Sequence, residues 1–129
     1  MKPQSARTSR AKFLPISDEM KKWSALLASE LNSLPGITTR RMFGFLFFYR
    51  KGKVFAALPQ TRGFSSSSSL IVKFNPMSPV LLKLAQRDPR MDTHTRVPGK
   101  GWFSFELASE ADVRDALFWL NHAYEAAAK

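Results

Sequence analysis

The sequence predicts an α+β domain in which helices pack against an antiparallel sheet. Residues 17–34 and 109–128 carry apolar side chains at three- and four-residue steps, which is the spacing of an amphipathic helix. Between these segments lie several short runs that are rich in aromatic and β-branched residues and are separated by glycine-containing turns. Strands that follow one another through short turns pair antiparallel, and helices outside such a run are typical of the α+β class.

The first helix is predicted over residues 17–34, SDEMKKWSALLASELNSL. Ser17 is a suitable N-cap, and Asp18 and Glu19 fall in the first turn, where the helix dipole stabilises acidic side chains. Pro35 and Gly36 end the helix. Its apolar face consists of Met20, Trp23, Leu27, Leu31 and Leu34.

A β-meander is predicted next, from residues 37–43, 45–50 and 53–58. The last two runs flank Lys51-Gly52, a dipeptide typical of a hairpin turn. From Phe43 to Tyr49, apolar residues occupy both odd and even positions, so both faces of a strand formed here would be apolar. We therefore expect this segment to be an interior element of the sheet with both faces covered. Three kinds of cover remain open: helices of the same chain, a partner subunit, or a ligand whose bases stack on the rings.

Residues 41–48, RMFGFLFF, match most of the aromatic signature of the RNA-recognition module, in which aromatic rings on the sheet stack bases. In that module the signature lies on a third strand, which follows a strand, a helix and another strand. Here one helix and at most one strand precede it. The order of elements therefore favours an aromatic core.

The segment after the meander predicts a loop, a strand and a short helix. Residues 65–69 are five serines, and we expect them to form a surface loop without a chemical role. Residues 70–74, LIVKF, have the composition of a strand. Ser78 then offers an N-cap with Pro79 at the first helical position, which predicts a second helix.

The last third of the chain predicts two strands and the final helix. One strand is expected near residues 93–97, and a tight turn follows it with Gly99 or Gly101 at positive φ. Residues 102–107, WFSFEL, alternate in the manner of a half-buried strand. The final helix begins at Ser109, with a capping box completed by the acidic residue three positions later.

The length and composition predict one folded domain. We expect residues 1–16 to form a basic flexible tail and residues 17–129 to form the domain. The composition of the tail also occurs in organellar presequences. Because no apolar run approaches the length of a membrane span, we expect a cytoplasmic protein that does not contact membranes.

The sequence contains no residue pattern typical of catalysis. It has no cysteine, which excludes disulfides, thiolate metal sites and cysteine nucleophiles. His94 and His122 are the only histidines, too few for a histidine metal cluster. A pair of catalytic carboxylates would have to come from Asp88 and Asp92, in a polar loop. We therefore expect no enzyme activity, no metal and no cofactor.

The net charge of +10 is concentrated in the middle of the chain, where twelve basic and two acidic residues lie between Leu31 and Phe105. This distribution favours an anionic partner, either nucleic acid or an acidic protein. The alternative is a self-associating, dimeric protein-binding domain. The strand around residues 43–49, which is apolar on both faces, favours this alternative. The residues expected to position phosphates, without reading base sequence, are Arg40, Arg41, Arg50, Lys51, Lys53 and Arg96.

Five segments resemble the N-terminal domain of the TfoX family, which is named for a bacterial regulator of competence. They are RRMFG at 40–44, FYRKGKVFA at 48–56, LIVKF at 70–74, GKGWFSFEL at 99–107 and DALFWLNHAYEAA at 115–127. The resemblance implies a single-domain member with a secretion-chaperone-like two-layer sandwich, in the order helix, three strands, helix, two strands, helix. It implies a regulatory interaction module and carries over no catalytic residue.

Overall fold

The computed structural model describes residues 14–63, 66, 68–74, 78–93 and 101–128 of the chain. The helices are α1 (Asp18–Asn32), α2 (Pro79–Arg87) and α3 (Glu110–Ala126). The strands are β1 (Leu14–Pro15), β2 (Ile37–Met42), β3 (Phe45–Arg50), β4 (Lys53–Pro59), β5 (Arg62–Gly63), β6 (Ser69–Lys73), β7 (Met91–Asp92) and β8 (Trp102–Glu106).

Six strands form one antiparallel sheet in the order β2-β3-β4-β6-β8-β7, and β1 pairs with β5 in a separate two-stranded ribbon. The predicted α+β class, with helices packed on an antiparallel sheet, is confirmed. Strand β6 precedes α2, as the LIVKF pattern predicts, so four strands of the six-stranded sheet lie between α1 and α2, one more than in the order implied by the resemblance. Of the segment expected to be a strand at 93–97, only residue 93 is described, and β7 ends just before it.

Both hairpins of the meander have two-residue turns with positive φ at both positions. Phe43 and Gly44 join β2 to β3 at φ of 56° and 82°, and Lys51 and Gly52 join β3 to β4 at 54° and 77°. Such turns match the right-handed twist of the flanking strands. Phe43 therefore lies outside the strand and is 74% exposed, which corrects the expectation that it belongs to the interior of the sheet.

The three helices cover one side of the sheet. Successive strands pair Phe48 with Ala56, Ala56 with Val72, and Val72 with Phe103, so this row crosses four strands on one face. All four side chains belong to the main buried cluster, together with residues of each helix. The helical members include Met20, Trp23, Leu27 and Leu31 of α1, Ala85 of α2, and Ala116, Trp119, Leu120 and Ala123 of α3.

The opposite side of the sheet carries a second, smaller cluster. Because side chains alternate along a strand, the row Phe47, Ala57, Ile71 and Ser104 points away from the helices. Within the described part of the chain, no helical residue belongs to this cluster. We call this side the helix-free face; its side chains include Arg40, Phe45, Phe47, Tyr49, Ala57, Ile71, Lys73, Trp102 and Ser104 and, by the same pairing, Ser69, Asp92 and Glu106.

The predicted start of each helix is confirmed by its contacts. The hydroxyls of Ser17 and Ser78 accept hydrogen bonds from the backbone N–H groups three residues later, at 3.1 and 3.0 Å. At α3, the carboxylate of Asp112 accepts from the N–H groups of Ala108 and Ser109 at 2.7 and 3.2 Å. These bonds satisfy amide groups that have no partner within the helix.

The residues just before α1 contact the domain. Leu14 and Pro15 pair with Gly63 and Arg62, and Ile16, which follows them, is 8% exposed in the main cluster. All three lie within the segment that the sequence assigns to the tail. None of the helices in the described residues is both long and apolar enough to cross a membrane.

Candidate nucleic-acid interface

Two of the predicted phosphate-binding residues lie side by side on the edge strand β2 but point to opposite faces. Arg40 pairs with Phe47 and therefore lies on the helix-free face. Arg41 pairs with Leu46, which packs against the main core on the helix side. Both arginines are exposed, yet one flat ligand cannot contact both head groups from the same side of the sheet.

Two other predicted residues bind the end of α3. The guanidinium of Arg50 donates to the backbone carbonyl of Tyr124 at 3.1 Å and stacks 3.8 Å from the centre of its ring. The ammonium of Lys51 donates to the carbonyl of Ala128 at 3.4 Å. The last carbonyls of a helix have no intrahelical partner, and they form the negative end of its dipole. Arg50 and Lys51 therefore stabilise the fold at this helix end.

The remaining predicted residues add little to a common surface. Lys53 is exposed and lies opposite Arg50 in the hairpin, on the helix side. Arg96 lies outside the described residues. Of the five described members of the predicted set, only Arg40 is on the helix-free face.

The helix-free face combines aromatic rings with positive charge. Phe47, Tyr49 and Trp102 are partly exposed there. The ammonium of Lys73 lies 5.3 Å from the centre of the Trp102 ring, within the range of a cation–π contact. Arg40 lies at the β2 edge of the same face, directly opposite Phe47. Rings that remain partly open to solvent, next to cations, can stack on bases while the cations bind phosphates.

The aromatic residues are separated by a floor of smaller side chains. Strand β3 carries Phe47 and Tyr49, strand β8 carries Trp102, and β4 and β6 lie between them with Ala57 and Ile71. Three strand spacings of about 4.8 Å place the backbones of β3 and β8 about 14 Å apart. Ala57 and Ile71 are 0% and 5% exposed, and Phe47 and Trp102 pack against them, so these rings partly cover the floor between the two strands.

The described acidic residues of this face are Glu106, at the end away from Lys73 and Trp102, and Asp92, in the row of Phe47 and Ser104. Glu106 lies opposite Ser69, and its carboxylate accepts from the hydroxyl of Ser66 at 2.8 and 3.0 Å and from that of Ser68. Asp92 lies on the edge strand β7, opposite Ser104. The serine run was expected to be a loop without a chemical role, but two of its hydroxyls hold this carboxylate.

Asp88 is bound within an ion-pair cluster and is not available as a catalytic acid. The guanidinium of Arg90 contacts the carboxylates of Asp88, Asp112 and Asp115 at 2.9, 2.6 and 2.9 Å. The hydrogen bond from Arg90 lowers the pKa of Asp88. For Asp112, partial burial acts to raise the pKa, but the N–H of Ala108 and the Arg90 guanidinium outweigh it and lower the pKa. The cluster joins the end of α2 to the start of α3.

Two cavities of the described structure lie beside α1. A groove of about 290 Å³ lies between α1 and α3, lined by Leu26, Leu117 and six other residues, with Glu30, Glu110 and Arg114 as its only charged groups. A second cavity of about 180 Å³ lies beneath α1, at the end of β4. Within the described residues, no group of histidine and acidic side chains is arranged to hold a metal ion.

The Lys73–Trp102 pair is the part of this surface that sequence reasoning missed. The alternation of WFSFEL places Trp102 and Ser104 on one face, so the side of the strand on which Trp102 lies could be predicted from the sequence. The partner of Trp102 is set by the pairing of β6 with β8, which joins segments about 30 residues apart and leaves no local pattern.

Comparison with models of known protein families, with curated protein sequences and with solved structures gives no match for the chain. The helix-free face is therefore the basis on which a function can be assigned.

Proposed function

We propose that this domain is a non-enzymatic interaction module that binds nucleic acid through its helix-free face. The observation that carries the proposal is the placement of three partly exposed aromatic rings with Arg40 and Lys73 on the one sheet face that no described helix covers. Aromatic rings and cations on an open sheet are the two components of many nucleic-acid surfaces.

Each cation has a distinct role in this proposal. Arg40, at the β2 edge, contacts one phosphate, and Lys73, beside Trp102, contacts another. Neither needs to read base edges, because phosphate contacts position a nucleic acid without specifying its sequence. The net charge of +10 adds a long-range attraction that raises the rate of encounter.

A regulatory role in the cytoplasm is the extension of this proposal that the TfoX resemblance suggests. The most specific shared motif, at residues 41–44, contains the β2–β3 turn. The carbonyl of Gly44 accepts from the N–H groups of Gln60 and Thr61 at 2.9 and 3.0 Å, and a Cβ at this position would lie 2.6 Å from Arg62 Cγ. The close packing of this turn explains why the motif contains Gly44, without any regulatory function. The regulatory role therefore rests on the resemblance alone.

The test is fluorescence anisotropy of a labelled oligonucleotide at several salt concentrations, with the double variant Arg40→Gln, Lys73→Gln. Each phosphate contact contributes about −0.7 to the log–log salt slope for a single strand, so loss of one contact lowers affinity about fivefold at 0.1 M salt. We expect the double variant to lose about 25-fold and its slope to fall by about 1.4.

The matched control is the double variant Lys22→Gln, Arg87→Gln. It removes the same charges from exposed positions on α1 and α2, on the other side of the sheet. A loss no greater than that of the control would refute the helix-free face as the binding surface. No binding of either variant or of the parent protein to DNA or RNA at low salt would refute the function.

Self-association is the second candidate, favoured by the partly exposed rings of Phe47, Tyr49 and Trp102 on the same face. Two copies would then meet face to face rather than edge to edge, because Arg40 and Arg41 on the edge strand oppose pairing of edges through like charge. Light scattering would give a mass near twice 14.6 kDa. A monomer at high concentration that binds nucleic acid would exclude this candidate.

A further inference from the structure

We infer that the ligand of the helix-free face is a single-stranded nucleic acid, and that one of its bases stacks on Trp102. This inference rests on the proposed function. It names the class of ligand and the residue whose substitution should weaken binding of a single strand but not of a duplex. It follows from the position of Trp102 among the three tryptophans, from its contact with Lys73 and from the shape of the face.

Trp102 differs from the other two tryptophans in its surroundings. Trp23 of α1 and Trp119 of α3 are 5% and 4% exposed and belong to the main core. Trp102 lies at the start of β8 on the helix-free face, where it is partly exposed. A large ring that keeps part of its area open to solvent offers a π surface on which any base can stack.

Lys73 places positive charge over that ring. The two residues are directly paired across β6 and β8, with the ammonium 5.3 Å from the ring centre. A base that stacks on this face of Trp102 displaces the flexible ammonium from the ring, and the ammonium then lies within reach of the phosphate of the same nucleotide. The pair therefore offers one stacking contact and one phosphate contact to the same nucleotide.

The shape of the face excludes stacking of a duplex. The bases of a double helix are stacked on one another and show only their edges in the grooves, which a helix or a two-stranded ribbon must enter. No described helix lies on the helix-free face, and the two-stranded ribbon of β1 and β5 is a separate sheet. The rings of Tyr49 and Trp102 lie on strands about 14 Å apart, far more than the rise of about 3.4 Å between stacked nucleotides. A base that stacks on either ring must leave its own stack, as the bases of an unpaired strand can do.

The experiment compares a labelled oligothymidine with a hairpin duplex of equal charge, for the parent protein and for Trp102→Leu. Stacking of one base predicts that Trp102→Leu weakens binding to the single strand by about 5- to 150-fold and leaves the weaker duplex binding unchanged. Oligothymidine should also quench the tryptophan emission of the parent protein, and not that of the variant, because the other tryptophans are buried.

Phe118→Leu is the matched control, since Phe118 is a 46% exposed aromatic residue of α3, on the helix side of the sheet. It should leave affinity for both ligands unchanged. The emission of Trp23 and Trp119 reports whether Trp102→Leu still folds, and Trp102→Phe, which keeps a ring, should restore most of the affinity.

The outcomes separate this inference from the function on which it rests. If Trp102→Leu binds as tightly as the parent while Arg40→Gln, Lys73→Gln loses affinity, stacking on Trp102 is wrong and the proposed function stands. Equal or tighter binding of the duplex by the parent likewise overturns the choice of a single strand. If neither ligand binds the parent, both the function and the inference fail.

Discussion

Substitution of Gly101 by alanine tests the geometry that starts strand β8. Gly101 has φ of +85°, and its carbonyl accepts from the N–H of Phe74 at 3.0 Å. A Cβ built at Gly101 would lie 2.4 Å from the carbonyl oxygen of Phe74, a backbone atom that cannot rotate away. The Phe74 ring is buried and packs edge-on against Trp119 with ring centres 6.1 Å apart, so the backbone has little freedom to retreat.

The magnitude follows from two additive effects. A non-glycine residue in the left-handed region costs about 1–2 kcal/mol. Forcing an extra carbon into a closely packed position adds about 1–3 kcal/mol. We therefore expect Gly101→Ala to lower the free energy of unfolding by about 2–5 kcal/mol. The control is Gly36→Ala, at φ of +74° with nothing within 4 Å of the added Cβ, for which only the first effect applies.

The assay is equilibrium unfolding in urea, followed by tryptophan emission. With a slope of about 1–3 kcal/mol per M, Gly101→Ala should lower the midpoint by about 1 M more than Gly36→Ala does. Equal midpoints for the two variants would show that the close approach of Gly101 to Phe74 has no energetic effect, which would refute the reasoning.

Two further predictions concern the core and the ion-pair cluster. Phe48→Ala, in the main core, should lower the free energy of unfolding by about 3–5 kcal/mol, and Phe47→Ala, on the helix-free face, should cost clearly less; equal losses in urea unfolding would contradict the assignment of faces. The lowered pKa values of Asp88 and Asp112 mean that their contribution is fully present above the unfolded pKa of about 3.9 and is lost as pH falls through the lower folded values. Arg90→Gln should therefore be less stable than the parent at neutral pH, with a difference that shrinks as pH falls below about 4, whereas a difference independent of pH would exclude the ion pairs as its cause.

The parts of the fold that are visible in the sequence are those set by neighbouring residues. The three helix starts at Ser17, Ser78 and Ser109 follow from capping chemistry over three positions. The turn at Lys51-Gly52 and the positive φ of Gly101 follow from the special conformations that glycine allows. Each of these predictions is confirmed, because the physical cause lies within a few residues of its effect.

The parts that the sequence does not show depend on residues far apart in the chain. Six basic side chains were assigned one role because charge alone does not distinguish them. Arg50 binds the end of α3, 74 positions later. Arg40 and Arg41 point to opposite faces of the sheet because side chains alternate along a strand. Lys73 joins the candidate surface only through the pairing of β6 with β8. Tertiary pairing therefore decides which charges remain available to a ligand.

The bonds between the first half of the chain and α3 determine when the domain can close during synthesis. The hydroxyl of Tyr124 donates to the carbonyl of Pro35 at 2.7 Å, across 89 positions. The backbone carbonyl of Tyr124 in turn accepts from the guanidinium of Arg50. A ribosome must therefore deliver nearly the whole domain before either bond can form. Until then α3 does not cover the aromatic core of the early strands, so we expect the nascent chain to aggregate more readily before α3 has emerged.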